Sequence, residues 1–223
     1  MKIEEPLLEG KLVKRDNRFV ASIIYQNKTL KCHLHETGRL RELAYPTNDV
    51  LFVQRPGKKT CCKIIAMKGS NGWVITNTAL HRNLATCLFP KEYRVKPEVK
   101  LYESRIDFFI EPNIFVETKG ITLVKGGVAL FPDAPTERGR KHLKALISAV
   151  SEGYKAMIWF LVMRDDAQCY YPNYLTDEKF ESLFFEAIKA GVESRASLFK
   201  LKNDGSIYYI KDIDLCKSKP LIL

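Results

Sequence analysis

The sequence predicts an α/β protein (α+β overall) in two parts: a small closed β-barrel over residues 1–76, then a mixed sheet flanked by helices over residues 77–223. Three features carry that expectation. Short alternating apolar runs crowd the residues before Asn77, and helical periodicity begins only after it. The charge is uneven as well. Residues 1–90 hold 15 Lys/Arg against 7 Asp/Glu, whereas residues 91–223 hold 21 against 19.

In the first part, residues 10–15 and 18–25 flank Asp16-Asn17, a two-residue turn signal. Phe19, Ala21, Ile23 and Tyr25 alternate with more polar neighbours, as do Leu30, Cys32 and Leu34. Residues 50–54, 61–67 and 73–76 continue the series, broken by Arg55-Pro56-Gly57-Lys58-Lys59 and Lys68-Gly69-Ser70-Asn71-Gly72. So many short strands must close on themselves to hide their edges, which points to an OB-like barrel. In the second part, Asn77 is placed to cap a helix with Leu80, Leu84 and Leu88 on one stripe. Two or three strands follow within residues 95–123. A second helix over residues 135–150 buries Leu143, Leu146, Ile147 and Val150, and Gly153 ends it. Residues 154–163 read as a central strand, apolar on both faces. A third helix starts at Asp177 with Phe180, Leu183, Phe184, Ala187 and Ile188, and residues 192–199 and 206–210 close the chain as strands.

At 223 residues, 46% hydrophobic and 28% charged, the chain excludes the disordered and fibrous classes. Its longest apolar run, residues 156–163, falls far short of the roughly 20 needed to span a bilayer. The acidic start Met1-Lys2-Ile3-Glu4-Glu5-Pro6 has no secretory apolar stretch. A cytoplasmic protein with no membrane partner is expected. Cysteines 32, 61, 62, 87, 169 and 216 form no C-x-x-C pair and read as reduced thiols or small core residues. His33 and His35 share one face of a strand, as a metal pair or as ordinary strand residues.

A net charge of +10 concentrated at the front of the chain either draws a polyanion such as DNA or merely aids solubility. The candidate phosphate contacts there are Lys11, Lys14, Arg15, Arg18, Arg39, Arg41, Arg55, Lys58 and Lys59.

The chemistry-bearing stretch is Ser104-Arg105-Ile106-Asp107-Phe108-Phe109-Ile110, followed by Ile114-Phe115-Val116-Glu117-Thr118-Lys119. With Glu111-Pro112-Asn113 as the connection, Ile110 pairs with Ile114 and Phe108 with Val116, so Asp107 falls opposite Glu117. Directly opposed residues share a face with Cβ atoms about 5 Å apart. Lys119, two residues beyond Glu117, projects to the same side. Facing carboxylates repel unless a cation lies between them, and Mg²⁺ (or Mn²⁺) held by Asp107 and Glu117 fits. Lys119 would orient an attacking water or stabilise developing charge. The D-x9-E-x-K spacing and the αβββαβ order are similar to the PD-(D/E)xK nuclease superfamily. The alternative is a surface ion-pair ladder. Pro132-Asp133 lies after the Glu-x-Lys pair, so Ile106-Asp107 fills the superfamily's proline-aspartate place.

Downstream, Asp133 either caps the second helix, with Pro135 in its first turn, or adds a third carboxylate. Thr136 and Arg138 join it as a possible extension of the site. Arg138, Arg140 and Lys141 sit near a helix N-terminus, where the macrodipole disfavours cations. They are candidate phosphate contacts or a solvated face.

These residues carry a family resemblance. Leu8-Glu9-Gly10-Lys11-Leu12-Val13-Lys14-Arg15-Asp16-Asn17-Arg18-Phe19, Thr37-Gly38-Arg39-Leu40, Ser104-Arg105-Ile106-Asp107-Phe108 and Val116-Glu117-Thr118-Lys119-Gly120 are four of the matching pieces. The most specific is Phe131-Pro132-Asp133-Ala134-Pro135-Thr136-Glu137-Arg138-Gly139. Over nearly its whole length the chain resembles the sugar fermentation stimulation protein A (SfsA) family. The resemblance implies an OB-like domain, a PD-(D/E)xK-like domain, DNA binding with little sequence preference and, in bacteria, a regulatory link to maltose metabolism. It also implies that Asp107, Glu117 and Lys119 occupy the metal and catalytic positions. The chain departs from the commoner bacterial pattern at residues 33–38 and at Thr118 and Gly120, leaving the carboxylates intact. Three readings stay open: a DNA-binding protein, a Mg²⁺-dependent nuclease, and a sensor that keeps the nuclease core for structure only.

Overall fold

Strand alternation and helical stripes build two units, each with its own core, in the computed structural model, which describes residues 1–221. The last two residues of the 77–223 span lie outside the described residues. One unit comprises Met1–His81 with Met163–Asp166 and Leu198–Lys211; the other comprises Arg82–Val162, Ala167–Ser197 and the chain from Asp212 onward.

The first unit holds β1 (Leu8–Asn17), β2 (Val20–Tyr25), β3 (Lys28–His33), β4 (Asp49–Gln54), β5 (Cys62–Gly69) and β6 (Gly72–Ile75). β1 pairs with β2 and β4, β2 with β3, and β4 with β5, all antiparallel; a parallel β3–β5 pairing closes the OB barrel. Leu12, Ala21, Ile23, Cys32, Val50, Phe52, Ile64 and Met67 fill its interior. Gly10 admits the neighbouring strand, since a Cβ there would meet the Ile24 carbonyl oxygen at 2.9 Å. Gln26 and Asn27, both at positive φ, turn β2 into β3.

Two expectations need correction here. The first turn lies two residues later than Asp16-Asn17, because Asn17 Oδ1 accepts from the Phe19 amide at 2.9 Å and thereby starts the turn. The cysteines are not all reduced: Cys32–Cys62 and Cys169–Cys216 are disulfides, while Cys61 and Cys87 are free and exposed. Partners 30 and 47 residues apart meet only through the folded topology, so spacing carried no trace of them.

Asn77 does cap, but what it caps is a 3-10 turn (Thr78–Leu80) leading into a six-residue α1 (His81–Thr86). Then follow β7 (Val95–Leu101), β8 (Ser104–Ile110), β9 (Ile114–Ile121), β10 (Val124–Lys125), β11 (Val128–Phe131), α2 (Glu137–Ser151), β12 (Lys155–Val162), β13 (Cys169–Pro172), α3 (Glu178–Lys189), β14 (Glu193–Leu201) and β15 (Ile207–Ile213). In the second unit β12 pairs with β9, with β8 and β7 beyond β9; β10, β11 and β13 form a small separate sheet. As expected of an all-apolar run, β12 is central and mostly buried, and it runs parallel to β9.

α2 differs from its predicted form at both cap and face. Thr136 caps it, its Oγ1 accepting from the Gly139 amide at 3.0 Å, and Asp133 does not. Thr136 wins because Asp177, itself the cap of α3, accepts from the Thr136 amide at 2.8 Å and fixes the entry. The buried stripe runs through His142, Leu143, Ala145, Leu146 and Ala149, with Ile147 and Val150 only half-buried. That rotation turns a histidine inward.

Candidate functional site

The β8–β9 hairpin positions the predicted acids. Its register is Ile110↔Ile114, Phe109↔Phe115 and Phe108↔Val116, as the Glu111-Pro112-Asn113 connection requires. Beyond that, side chains knit the strands. The Asp107 amide donates to Glu117 Oε2 at 3.2 Å, and the Thr118 amide donates to Asp107 Oδ2 at 2.8 Å, joined by the Thr118 hydroxyl. Lys119 Nζ donates to Glu117 Oε1, so Asp107, Glu117 and Lys119 come together.

His142 of α2, to which the sequence reading gave no role, completes the cluster. Its Nδ1 bonds the same Glu117 Oε1 and lies 3.2 Å from Lys119 Nζ. On its other side Arg138 Nε donates to His142 Nε2 at 3.3 Å. A guanidinium has only donors, so Nε2 is the acceptor, and the ring hydrogen on Nδ1 faces Glu117. Arg138 and His142 stand one helical turn apart, the one sequence signal that links them.

The two carboxylates are pushed in opposite directions. Burial and the Glu117 charge raise the Asp107 pKa against the pull of Thr118 and Lys119. Burial would raise Glu117 too, but Lys119 and His142 outweigh it and hold that carboxyl below its ordinary value. Glu117 is 1% exposed. His142 also lines a cleft of about 400 Å³ whose cations are Arg105, Arg138 and Lys141 and whose acids are Glu103 and Glu137.

The remaining predicted residues divide. Asp133 is half-buried in the loop before α2, and among the described residues no group of three His, Cys, Asp or Glu is arranged to hold a metal. Nor do His33 and His35, whose rings stack edge-on 5.4 Å apart, belong to such a group. Arg140 pairs with Asp177 rather than facing the cleft. In the barrel, the Arg15 guanidinium donates to the carbonyls of Glu36, Gly38 and Arg39 at 2.8, 2.6 and 3.0 Å, pinning that loop. Lys11 pairs with Asp49, Lys14 with Asp16 at 3.5 Å, and Arg55 with Glu5 at 4.0 Å. Arg18 lies over Phe19, 5.7 Å from the ring centroid. Arg39, Arg41, Lys58 and Lys59 are exposed and make no ion pair among the described residues.

Comparison with known proteins agrees in both units. Residues 13–76 match the family model of the SfsA N-terminal OB domain, and residues 74–205 match that of the sugar fermentation stimulation protein RE domain. A sugar fermentation stimulation protein homolog of Sulfolobus acidocaldarius is 48% identical, over 96% of this chain and 92% of its own length. One of Saccharolobus solfataricus is 42% identical, over 96% and 88%. The structure of Pyrococcus furiosus SfsA in complex with Ca²⁺ superposes with a TM-score of 0.87 at 30% identity, covering 96% of this chain and 97% of that one.

Proposed function

Because the chain belongs to the sugar fermentation stimulation protein family, we propose that it binds DNA with little sequence preference and hydrolyses phosphodiester bonds at Asp107, Glu117 and Lys119 with a divalent metal ion. The observation that carries this reading is the convergence of a buried acid, a half-buried acid and an amine beside a cleft lined by Arg105, Arg138 and Lys141.

The donor set fits a hard cation. Two carboxylates, one of them with its pKa raised by burial and by its neighbour's charge, gain from a positive ion between them. Mg²⁺ needs only one or two protein carboxylates, the rest of its shell being water and substrate phosphate. Asp107 and Glu117 would hold it, and it would supply Lewis acidity and a more acidic water. A relative's structure being a Ca²⁺ complex supports a divalent ion in this fold. Lys119 then stabilises charge growing on a phosphoryl oxygen, His142 keeps Glu117 oriented, and Arg138 and Lys141 draw the phosphate chain into the cleft. Arg39, Arg41, Lys58 and Lys59 supply backbone contacts, which hold DNA without reading its sequence. With a DNA partner, the chain would act in the cytoplasm. Among the described residues no helix is long and apolar enough to cross a membrane.

The test is supercoiled plasmid with Mg²⁺ or Mn²⁺, wild type beside Lys119→Ala. Nicking should fall by roughly 100-fold or more in the variant, while the mobility shift of an oligonucleotide stays. A shift without metal-dependent nicking leaves a binding protein only; no shift at moderate salt removes both halves of the reading.

A further inference from the structure

Cys61 is exposed and carries a free thiol, yet the disulfide beside it is sealed: Cys32 is 0% and Cys62 1% exposed. Cys61 Sγ lies 3.8 Å from Cys62 Sγ and 3.6 Å from the Lys31 carbonyl oxygen, which also touches Cys62 Sγ at 3.4 Å. Three sulfurs therefore gather where β3 meets β5. That pairing closes the barrel and is short, consisting of Cys32↔Cys62 and His33↔Lys63. Solvent reaches Cys61 but not the bond behind it. Exchange needs a thiolate with access to a disulfide sulfur, and Cys61 has that access from inside the fold.

We propose that Cys61 is a thiol–disulfide exchange site that carries the buried Cys32–Cys62 bond to the surface. The Cys61 thiolate, its proton given to solvent, attacks Cys62 Sγ. A Cys61–Cys62 bond forms, the Cys32–Cys62 bond breaks, and Cys32 leaves as a thiolate that takes up a proton. One disulfide replaces another with no net oxidation or reduction. The new bond has one exposed sulfur, where a small external thiol can attack, forming a mixed disulfide with Cys61 and releasing Cys62 as a thiolate. Strand β3 is then tied to β5 by hydrogen bonds alone, so the covalent clamp on the barrel answers to the thiols outside. This site is independent of the phosphodiesterase reading. Cys169–Cys216 has no third sulfur beside it among the described residues and serves as an internal control.

The experiment uses the full chain with Cys87→Ser, leaving Cys61 as the one free thiol, incubated at pH 8.5 without reductant and quenched with excess N-ethylmaleimide at intervals. Trypsin then releases Cys32 in residues 32–39 and Cys61 with Cys62 in residues 60–63. The expected result is label accumulating on Cys32, at a rate independent of protein concentration, with Cys169 and Cys216 unlabelled. Adding Cys61→Ser should slow Cys32 labelling at least ten-fold. Capping Cys61 with N-ethylmaleimide before the incubation should do the same and needs no second variant to fold. Cys32 that never labels, or labels equally fast with Cys61 replaced or capped, or labels at a rate that rises with protein concentration, overturns the proposal.

Discussion

Asp107 and Glu117 carry the same titrating group, and what surrounds it sets them apart. Glu117 has Lys119 and His142 at one oxygen, whereas Asp107 has hydrogen bonds but, among the described residues, no cation in direct contact, so the repulsion between the pair falls on Asp107. Its folded pKa lies above its unfolded value, so the folded state keeps the proton longer. Stability contributed by that proton is complete below the unfolded pKa of about 3.9 and is lost as pH rises through the folded pKa. Asp107→Asn should therefore raise the melting temperature of metal-free protein at pH 7, by roughly 3 °C, and the gain should shrink as pH falls toward 4. A scan in chelator checks this; a variant less stable than wild type at pH 7 would mean the buried charge is not costly. At this scale the hairpin acids and Lys119 were readable, since a period of two and a three-residue connection fix which side chains face each other. His142 was not, because its place depends on how α2 rolls against the sheet.

Elements show the same division. Helix α2 was readable from Leu143 and Leu146, but its start was not, because two residues compete for the cap. Asp133 and Thr136 are both competent by type, and the choice fell to Asp177, 41 residues further along the chain. Thr136→Ala should cost about 1 kcal/mol in urea unfolding, whereas Asp133→Ala should leave the cap's contribution intact. Equal losses from the two would return the cap to Asp133. The Cys32–Cys62 pairing was likewise invisible: alternation places each cysteine on the inner face of its strand, but only closure of β3 on β5 sets them together, Cα atoms 4.4 Å apart.

For the whole molecule the question is which cations remain available to a polyanion. Counting charge marks the front of the chain as basic, yet Arg15, Lys11 and Lys14 are engaged with carbonyls or carboxylates of their own chain. Among the described residues, Arg39, Arg41, Lys58 and Lys59 are not. Replacing those four with alanine should reduce the slope of log affinity for duplex DNA against log salt by up to about 3–4, close to one released counterion per phosphate contact. An unchanged slope would move the DNA surface elsewhere. Alternation and helical period are local, so the chain order alone settled the barrel, the mixed sheet, the bodies of the two longer helices and the meeting of Asp107, Glu117 and Lys119. The capture of Glu117 by His142, the engagement of Arg15, the cap on α2 and both disulfides join residues far apart in the chain. Distance in sequence puts no constraint on distance in space until the sheets close, and only the folded structure could decide them.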